Sequence, residues 1–157
     1  MTDVKATALE NALTEAGIGF DVLDHERTDT AVLEAAVLGL RPSEVAKTIV
    51  VRTPDGDVRV VVSSGDRIDM HRLRELLGGG KDVRLATEEE LERDYPEFEL
   101  GAVPPVGGKA DAVLVDRRVA GRETIVLEAG VHDQSIRIEA GDLVRVTGAR
   151  VVDVVEG

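Results

Sequence analysis

The sequence contains no cysteine and no tryptophan, and its only aromatic residues are Phe20, Tyr95 and Phe98. Without cysteine, the chain has no disulfide, no thiolate nucleophile and no cysteine-based metal site. With so few rings, the hydrophobic core must come mainly from valine, alanine and leucine, within an apolar fraction of 43%. A valine-rich core of this kind predicts strands covered by helices of small residues.

Long apolar runs are also missing, since no stretch approaches the roughly 20 residues that a membrane-spanning helix requires. The first residues, MTDVKATALENAL, are polar and acidic, unlike a signal or transit peptide. A length of 157 residues suits one domain with one core. We therefore expect a single domain over residues 1–157 that works in the cytoplasm without a membrane partner.

Positive charge is scarce, because 19 lysines and arginines face 31 carboxylates, which gives a formal net charge of −12. Taken alone, this balance disfavours a nucleic-acid partner, since phosphate binding normally requires a basic surface. An acidic, lysine-poor surface also suits molar salt, where the Debye length falls to ~3 Å. Under the hypothesis of a salt-rich source, a few local cations would contact any bound nucleic acid.

Turn signals and apolar spacing predict helices that alternate irregularly with strands. Residues 47–53 and 57–64 are β-branched runs joined by Pro54-Asp55-Gly56, which predicts a central hairpin. Thr87 and Glu90 have the spacing of a capping box, which predicts the start of a helix. The other predicted helices cover residues 3–16, a segment capped by Asp29 or Thr30 that ends at Leu38, 42–45, 69–77 and 141–146. The other predicted strands cover 20–23, 83–85, 112–116, 124–128, 135–138 and 151–155.

These elements indicate the α/β class. Strands follow one another mostly as hairpins, and the regular strand–helix alternation of a doubly wound fold is absent. We therefore predict a mixed, curved and partly barrel-like β-sheet flanked by helices. A connection rich in glycine and proline, from Phe98 to Lys109, precedes the strand at 112–116.

Most familiar catalytic motifs are missing from the sequence. His25, His71 and His132 lack the spacing of metal ligands, so we predict no metal site. There is no G-x-S-x-G elbow, no G-x-x-x-x-G-K-[ST] loop and no G-x-G-x-x-G fingerprint, so no cofactor is predicted. The features that remain are Lys47 at the start of a strand and the stiff glycine–proline connection.

Lys47 and the glycine–proline connection belong to a set of four sequence blocks that follow one another along the chain. The first contains Glu34-Ala35-Ala36, Leu38-Gly39 and Val45-Ala46-Lys47-Thr48, and the third is Gly101-Ala102-Val103-Pro104-Pro105-Val106-Gly107. The second and fourth blocks cover residues 64–67 and 129–136. Together the blocks resemble the YbaK/prolyl-tRNA-editing family over most of the chain.

The resemblance implies an editing domain that hydrolyses the ester between a wrong amino acid and the terminal adenosine of tRNA. Lys47 matches the essential lysine of the family, and Gly101 matches the first glycine of its G-x-x-x-P-x-G loop. We expect these two residues to be catalytic. The residues expected to bind the substrate are Pro105, Gly107, His132 and Ser135.

The chemistry can also be argued without the resemblance. An aminoacyl ester is already activated, so holding the carbonyl, a water and the sugar hydroxyls in reactive geometry contributes much of the catalysis. Backbone N–H groups near Gly101 would stabilise the oxyanion, and Lys47 would supply a charge for the terminal phosphate or the ribose. No residue of the sequence is identified as a general base.

The substrate and two other functions stay open at this point. Ala46 replaces a bulky residue of many relatives, and His132-Asp133 occupies a position where several relatives have asparagine. Transfer RNA for proline, carrying alanine or cysteine, is the expected substrate, and prolyl-tRNA synthetase is a further expected partner. The alternatives are a non-catalytic module that binds tRNA or a synthetase, and a protein that binds or hydrolyses small esters. Lys109 and Arg67 are candidate tRNA contacts or simply solvated charges.

Overall fold

The computed structural model describes residues 4–157, with side chains from Ala8 onward. Six helices and eight strands occur in this part of the chain. The helices are α1 Val4–Glu15, α2 Ala31–Val37, α3 Met70–Leu77, α4 Glu88–Asp94, α5 Arg117–Ala120 and α6 Ala140–Thr147, with 3₁₀ turns at Pro42–Glu44 and Gly80–Asp82. The strands are β1 Asp21–Asp24, β2 Ala46–Thr53, β3 Gly56–Ser63, β4 Arg84–Leu85, β5 Ala112–Asp116, β6 Thr124–Glu128, β7 Gln134–Glu139 and β8 Arg150–Val152.

The strands form two open sheets. A three-stranded antiparallel sheet has the order β1-β7-β6, and a five-stranded mixed sheet has the order β4-β2-β3-β5-β8. A parallel bridge between Val45 and Val126 links the sheets, but the 3₁₀ turn before Val45 prevents the ladder from continuing. The predicted mixed α/β fold is confirmed, although the strands make two sheets and do not close into a barrel.

The hairpin of β2 and β3 lies at the centre of the five-stranded sheet, as predicted. Its register runs from Ala46 opposite Ser63 to Thr53 opposite Gly56. Successive side chains of a strand point to opposite faces, and both faces of β3 are covered. Val61 packs into a cluster with Leu9 and Leu143, whereas Val60 and Val62 pack into a second cluster with Leu73.

Capping residues account for most of the predicted helix ends. The Thr30 side chain accepts from the Leu33 N–H at 3.2 Å, and Thr87 and Glu90 form the expected capping box of α4. The short helix α5 was not predicted, because a single turn capped by Asp116 has too few residues to show a period. The predicted helix start at Asp3 and the side chain of Ala6 lie outside the described residues.

The C-terminal strand β8 ends at Val152, three residues before the predicted end at Val155. The following backbone leaves the sheet because the Val154 N–H donates to Oδ1 of buried Asp116 at 3.2 Å. Val155 instead forms an antiparallel bridge with Ile68. Across residues 4–157, every helix is too short or too polar to cross a bilayer.

Candidate active site

A cavity of about 310 Å³ lies among the start of β2, the start of α2 and the glycine–proline loop, residues 98–109. We call it the site cavity. Its walls are mostly apolar, and Lys47 and Glu128 are its ionisable lining residues. The full lining consists of Thr30, Ala31, Lys47, Thr48, Ile49, Val50, Leu85, Ala86, Leu91, Gly101, Val103 and Glu128. An apolar pocket with a few convergent polar groups is the usual form of a small-ligand site.

Lys47 is the second residue of β2 and lies opposite Val62 of β3. Burial lowers the pKa of the Lys47 ammonium, whereas the charges of Glu128 and Asp66 oppose that shift and Arg67 adds to it. Among the described residues, no side chain or backbone group forms a hydrogen bond or a close ion pair with this ammonium. Lys47 therefore presents an incompletely solvated positive charge to the cavity.

Glu128 is the last residue of β6 and is only 7% exposed. Its Oε1 accepts a hydrogen bond from the Thr48 backbone N–H at 3.3 Å. Burial and the charge of Glu34 raise the pKa of Glu128 well above its usual value, against the opposing effects of the Thr48 N–H and Lys47. The cavity thus contains a carboxyl group and an ammonium that influence each other without direct contact.

Beside Glu128, a chain of hydrogen bonds links Glu34, Ser135 and His25. Glu34 of α2 contacts the Ser135 hydroxyl, and His25 Nε2 lies 2.8 Å from the same hydroxyl oxygen. Burial raises the pKa of Glu34 to about 7, although the hydrogen bond with Ser135 opposes the rise. His25 Nδ1 donates to the Glu26 carbonyl at 2.6 Å, and the Ser135 hydroxyl donates to the Glu34 carboxyl group.

Gly101 begins the part of the loop that borders the cavity. Its φ of +82° is one that residues with a Cβ rarely adopt, and a Cβ there would lie 3.6 Å from Cε1 of His132. Within the described residues, the backbone N–H groups of Gly101 and Val103 have no hydrogen-bond acceptor, whereas the Ala102 N–H donates to the Glu99 carbonyl. Two backbone donors are therefore free where the loop meets the cavity.

The far end of the loop is held by Arg59, which is 1% exposed. Its guanidinium donates to the carbonyls of Pro104, Gly107 and Lys109 at 2.8–2.9 Å and to the Asp111 carboxylate at 2.9 Å. Tyr95 donates to the same carboxylate at 2.7 Å, and its ring centre lies 5.2 Å from the guanidinium carbon. We refer to Arg59, Tyr95 and Asp111 as the Arg59 cluster.

The structure brings Lys47 and Gly101 to one cavity, but it locates the other predicted site residues elsewhere. Pro105 and Gly107 line a second cavity beside Arg59, and a Cβ on Gly107 would lie 3.3 Å from the backbone of Ala8. Ser135 is fully buried within the chain to His25, so none of its surface is available to a ligand in this structure.

His132 lies directly beneath the bend at Gly101 and not in the cavity lining. Its Nε2 donates to the Leu100 carbonyl at 2.6 Å, and its backbone N–H donates to Glu99 at 2.8 Å. These contacts tie the start of the loop to the connection between β6 and β7. His132 is thus positioned to hold the loop and the Gly101 backbone in place.

Sequence reasoning missed Glu34, Glu128 and Arg59. A signal was available for two of them, because Glu128 and Arg59 are charged residues inside otherwise apolar β-branched runs. A charge at such a position must be paired or functional, since burying it alone is costly. In residues 4–157, no group of three or more histidine, aspartate or glutamate side chains is arranged to hold a metal ion.

Comparison with known proteins agrees with this geometry. Residues 25–146 match the aminoacyl-tRNA editing domain family, a range that includes every residue lining the site cavity. This chain belongs to that family. The predicted membership in the YbaK/prolyl-tRNA-editing group is therefore confirmed, and the domain is one that acts on aminoacyl-tRNA.

Solved structures share the fold over nearly the whole chain. One, described as "a putative trans-editing enzyme for prolyl tRNA synthetase", is 28% identical with a TM-score of 0.90 and covers 100% of both chains. A hypothetical protein is 30% identical with a TM-score of 0.86, over 95% of this chain and 99% of its own. A scaffold used for computational epitope grafting, 23% identical with a TM-score of 0.88 over 99% of each chain, shares the fold.

Proposed function

We propose that this editing domain is a deacylase that acts in trans on mischarged tRNA, with tRNA(Pro) carrying alanine or cysteine as its substrate. The observation that carries the proposal is the site cavity itself, which is lined both by Lys47 and by Gly101 and Val103, whose ammonium and backbone N–H groups have no hydrogen-bond partner in the described part of the chain. The similarity to a structure described as a trans-editing protein supports the choice of tRNA(Pro).

The reaction is the hydrolysis of an ester. The oxygen of a water attacks the carbonyl carbon, the bond from that carbon to the ribose oxygen breaks, and the ribose oxygen takes up a proton. The amino acid leaves as its carboxylate. In the proposed geometry, the N–H groups of Gly101 and Val103 donate to the carbonyl oxygen as negative charge develops on it, and loss of one such donor typically costs 10²–10³-fold in rate.

Lys47 supplies the positive charge that the terminal phosphate or the ribose of the substrate requires. The protein has a net charge of −12, so long-range attraction for tRNA is weak and local cations must provide the contact. Arg67 is close enough to Lys47 to lower its pKa and adds a second positive charge near the cavity. The nucleophile is water, assisted by the neighbouring hydroxyl of the ribose.

The remaining predicted residues support this site from outside the cavity in the proposed mechanism. His132 and Ser135 fix the Gly101 bend and α2, Gly107 fixes the far end of the loop through Arg59, and the ring of Pro105 stiffens the backbone between them. A stiff loop loses less conformational entropy when substrate binds. The apolar lining residues Ala31, Ala86 and Leu91 suit an uncharged side chain such as that of alanine or cysteine.

We further propose that residues 1–157 act as one domain in the cytoplasm, beside prolyl-tRNA synthetase. A free-standing deacylase must intercept a mischarged tRNA after the synthetase releases it. Association with the synthetase would shorten that interval. The proposal requires no cofactor, because the substrate ester is already activated.

The decisive experiment is a deacylation panel with alanine, cysteine and proline attached to tRNA(Pro), run at low and high salt. We expect the protein to release alanine or cysteine but not proline. Lys47→Ala should reduce the rate by on the order of 10²–10³-fold, as expected for loss of a catalytic electrostatic contact. Lys81→Ala, which changes an exposed lysine of the second 3₁₀ turn, is the matched control and should leave the rate unchanged.

Other results would reassign the function. Turnover that survives Lys47→Ala would remove the proposed site. Tight binding of tRNA or of the synthetase without cleavage would favour the non-catalytic module. Hydrolysis of free aminoacyl esters, with none of aminoacyl-tRNA, would indicate a small-molecule hydrolase.

A further inference from the structure

The site cavity contains a buried carboxylate that the mechanism above does not use. Glu128 is 93% buried and lines the cavity together with Lys47. Its Oε1 accepts from the Thr48 N–H, but Oε2 has no hydrogen-bond donor among the described residues. Oε2 is not fully buried, so a ligand in the cavity can reach it, and a bound cation would stabilise the ionised form of this largely buried side chain.

The position of Glu128 follows from its strand. Val126 and Glu128 point to the same face of β6, where Val126 packs against Ala31 and Ala35 of α2. Glu128 therefore faces α2 as well, and its charge interacts with that of Glu34 on this helix. With Lys47 on β2, the groups around this end of the cavity are two carboxyls and one ammonium.

The substrate end of an aminoacyl-tRNA carries complementary charges. The α-amino group of the ester is a cation when protonated, and the terminal phosphate of the tRNA is an anion. Lys47 offers a cation, and Glu128 offers a carboxyl group whose ionised form is favoured by a bound ammonium; the two do not form a close ion pair with each other. Both therefore have the capacity to pair with a ligand.

We propose that Glu128 binds the α-ammonium group of the aminoacyl ester and thereby restricts the protein to esters of amino acids with a free amine. The inference rests on the proposed deacylase function. The ester is held between two charges, with its ammonium at Glu128 and its phosphate or ribose at Lys47, which turns the carbonyl oxygen towards the Gly101 N–H. Esters of hydroxy acids and of N-blocked amino acids lack the cation that Glu128 requires.

An alternative role for Glu128 must be separated from this one, in which Glu128 positions Lys47 or the Thr48 backbone and does not touch the ammonium. Such a role would affect every ester to the same extent, whatever group stands at the α-carbon. Ammonium binding would affect only esters that carry the cation. Comparing two esters that differ at this group alone separates the roles.

The test compares alanyl-tRNA(Pro) with lactyl-tRNA(Pro), in which a hydroxyl replaces the ammonium at nearly the same size. Each enzymatic rate is divided by the rate of spontaneous hydrolysis of the same ester in the same buffer, because the ammonium itself activates the ester. We expect the wild-type protein to accelerate alanyl ester cleavage on the order of 10²-fold more than lactyl ester cleavage, the usual effect of a buried charged contact.

Glu128→Gln should abolish this preference by slowing alanyl ester cleavage, because the amide still accepts from the Thr48 N–H but carries no charge. Glu123→Gln, an exposed change just before β6, is the matched control and should keep the preference.

Equal acceleration of the two esters by the wild-type protein would overturn the inference and leave the proposed function standing. So would a preference that survives in Glu128→Gln, or an equal loss of both rates in that variant. Failure of the wild-type protein to accelerate either ester would refute the proposed function, and the inference with it.

Discussion

The two ends of the glycine–proline loop lie beside two groups of charges that differ in how completely they are paired. At the far end, the Arg59 guanidinium donates four hydrogen bonds, three to backbone carbonyls and one to Asp111. At the near end, Lys47 has no partner among the described residues and Glu128 has one backbone donor. Arg59 and Glu128 are both more than nine-tenths buried, so exposure to water alone does not explain the difference between them.

The comparison indicates which buried charges serve structure and which serve a ligand. A charge that is saturated by fixed partners stabilises one geometry, and removing one partner leaves the rest unpaired. A charged group that lines a cavity and lacks some of its hydrogen-bond partners can bind a ligand. Such a group often has a perturbed pKa, which is typical of functional sites. The Arg59 cluster is therefore expected to govern stability, and Lys47 and Glu128 are expected to govern activity.

The largest effect on stability is expected when Arg59, the fully paired charge, is replaced. Arg59→Leu leaves three backbone carbonyls without their donor and removes the buried cation that pairs with Asp111, so the free energy of unfolding should fall by about 3–5 kcal/mol. Urea denaturation of the variant measures this loss. Arg145→Leu, which removes an arginine with a 69% exposed side chain, should lower the stability by less than about 1 kcal/mol. Similar losses in the two variants would show that burial and pairing do not distinguish Arg59.

A smaller effect should appear in the pH dependence of stability. Burial raises the pKa of Glu34 to about 7 from 4.5, so the folded protein retains a proton that the unfolded chain has already lost. The free energy of unfolding should therefore decrease as pH rises from about 4.5 to 7, by up to about 1.4 kcal/mol per pH unit for this group. Glu128 contributes in the same direction, since its pKa is also raised.

Glu34→Gln should flatten part of this pH profile and increase stability at pH 8, because the amide has no proton to lose. Denaturation at a series of pH values, for the variant beside the wild-type protein, measures the difference. Glu123→Gln, an exposed change, should reproduce the wild-type profile. Parallel profiles for wild type and Glu34→Gln would show that the Glu34 carboxyl is ionised in the folded protein throughout this range.

The smallest effect is expected at Lys109, a cation at the edge of the Arg59 cluster. Its ammonium lies 2.7 Å from Asp57, but 41% of its side chain is exposed, so water competes with the ion pair. Lys109→Met should change the free energy of unfolding by less than about 1 kcal/mol and leave deacylation unchanged. A large loss of activity in this variant would move the tRNA contact to the far end of the loop.

The sequence was sufficient to predict most of the framework. β-Branched runs around Pro54-Asp55-Gly56 predicted the central hairpin, and Thr30, Asp69 and Thr87 predicted three helix starts, because these signals are local. The division into two sheets was not predictable in this way. It depends on where Val45 meets Val126, a contact between segments far apart in the chain.

Only part of the candidate site was predicted, because local patterns reveal some of its residues and contacts between distant segments determine the others. Lys47 and Gly101 lie in recognisable blocks, but the roles of Glu34 and Glu128 depend on the packing of α2 against β6, which no local pattern reports. Arg59 could have been noticed as a charge inside an apolar strand. Its four hydrogen-bond partners come from residues 104–111, and only the fold reveals that they converge on it.

The central claim is that Lys47 governs activity whereas the Arg59 cluster governs stability. Its most direct test measures two quantities for Lys47→Met, the rate of alanine release from alanyl-tRNA(Pro) and the free energy of unfolding. We expect the rate to fall by on the order of 10²-fold or more, because the cavity loses its ammonium. The free energy of unfolding should change by less than about 1 kcal/mol, because no group among the described residues forms a hydrogen bond or close ion pair with the ammonium. A variant that unfolds far more easily while its intact fraction still releases alanine at the wild-type rate would contradict the account.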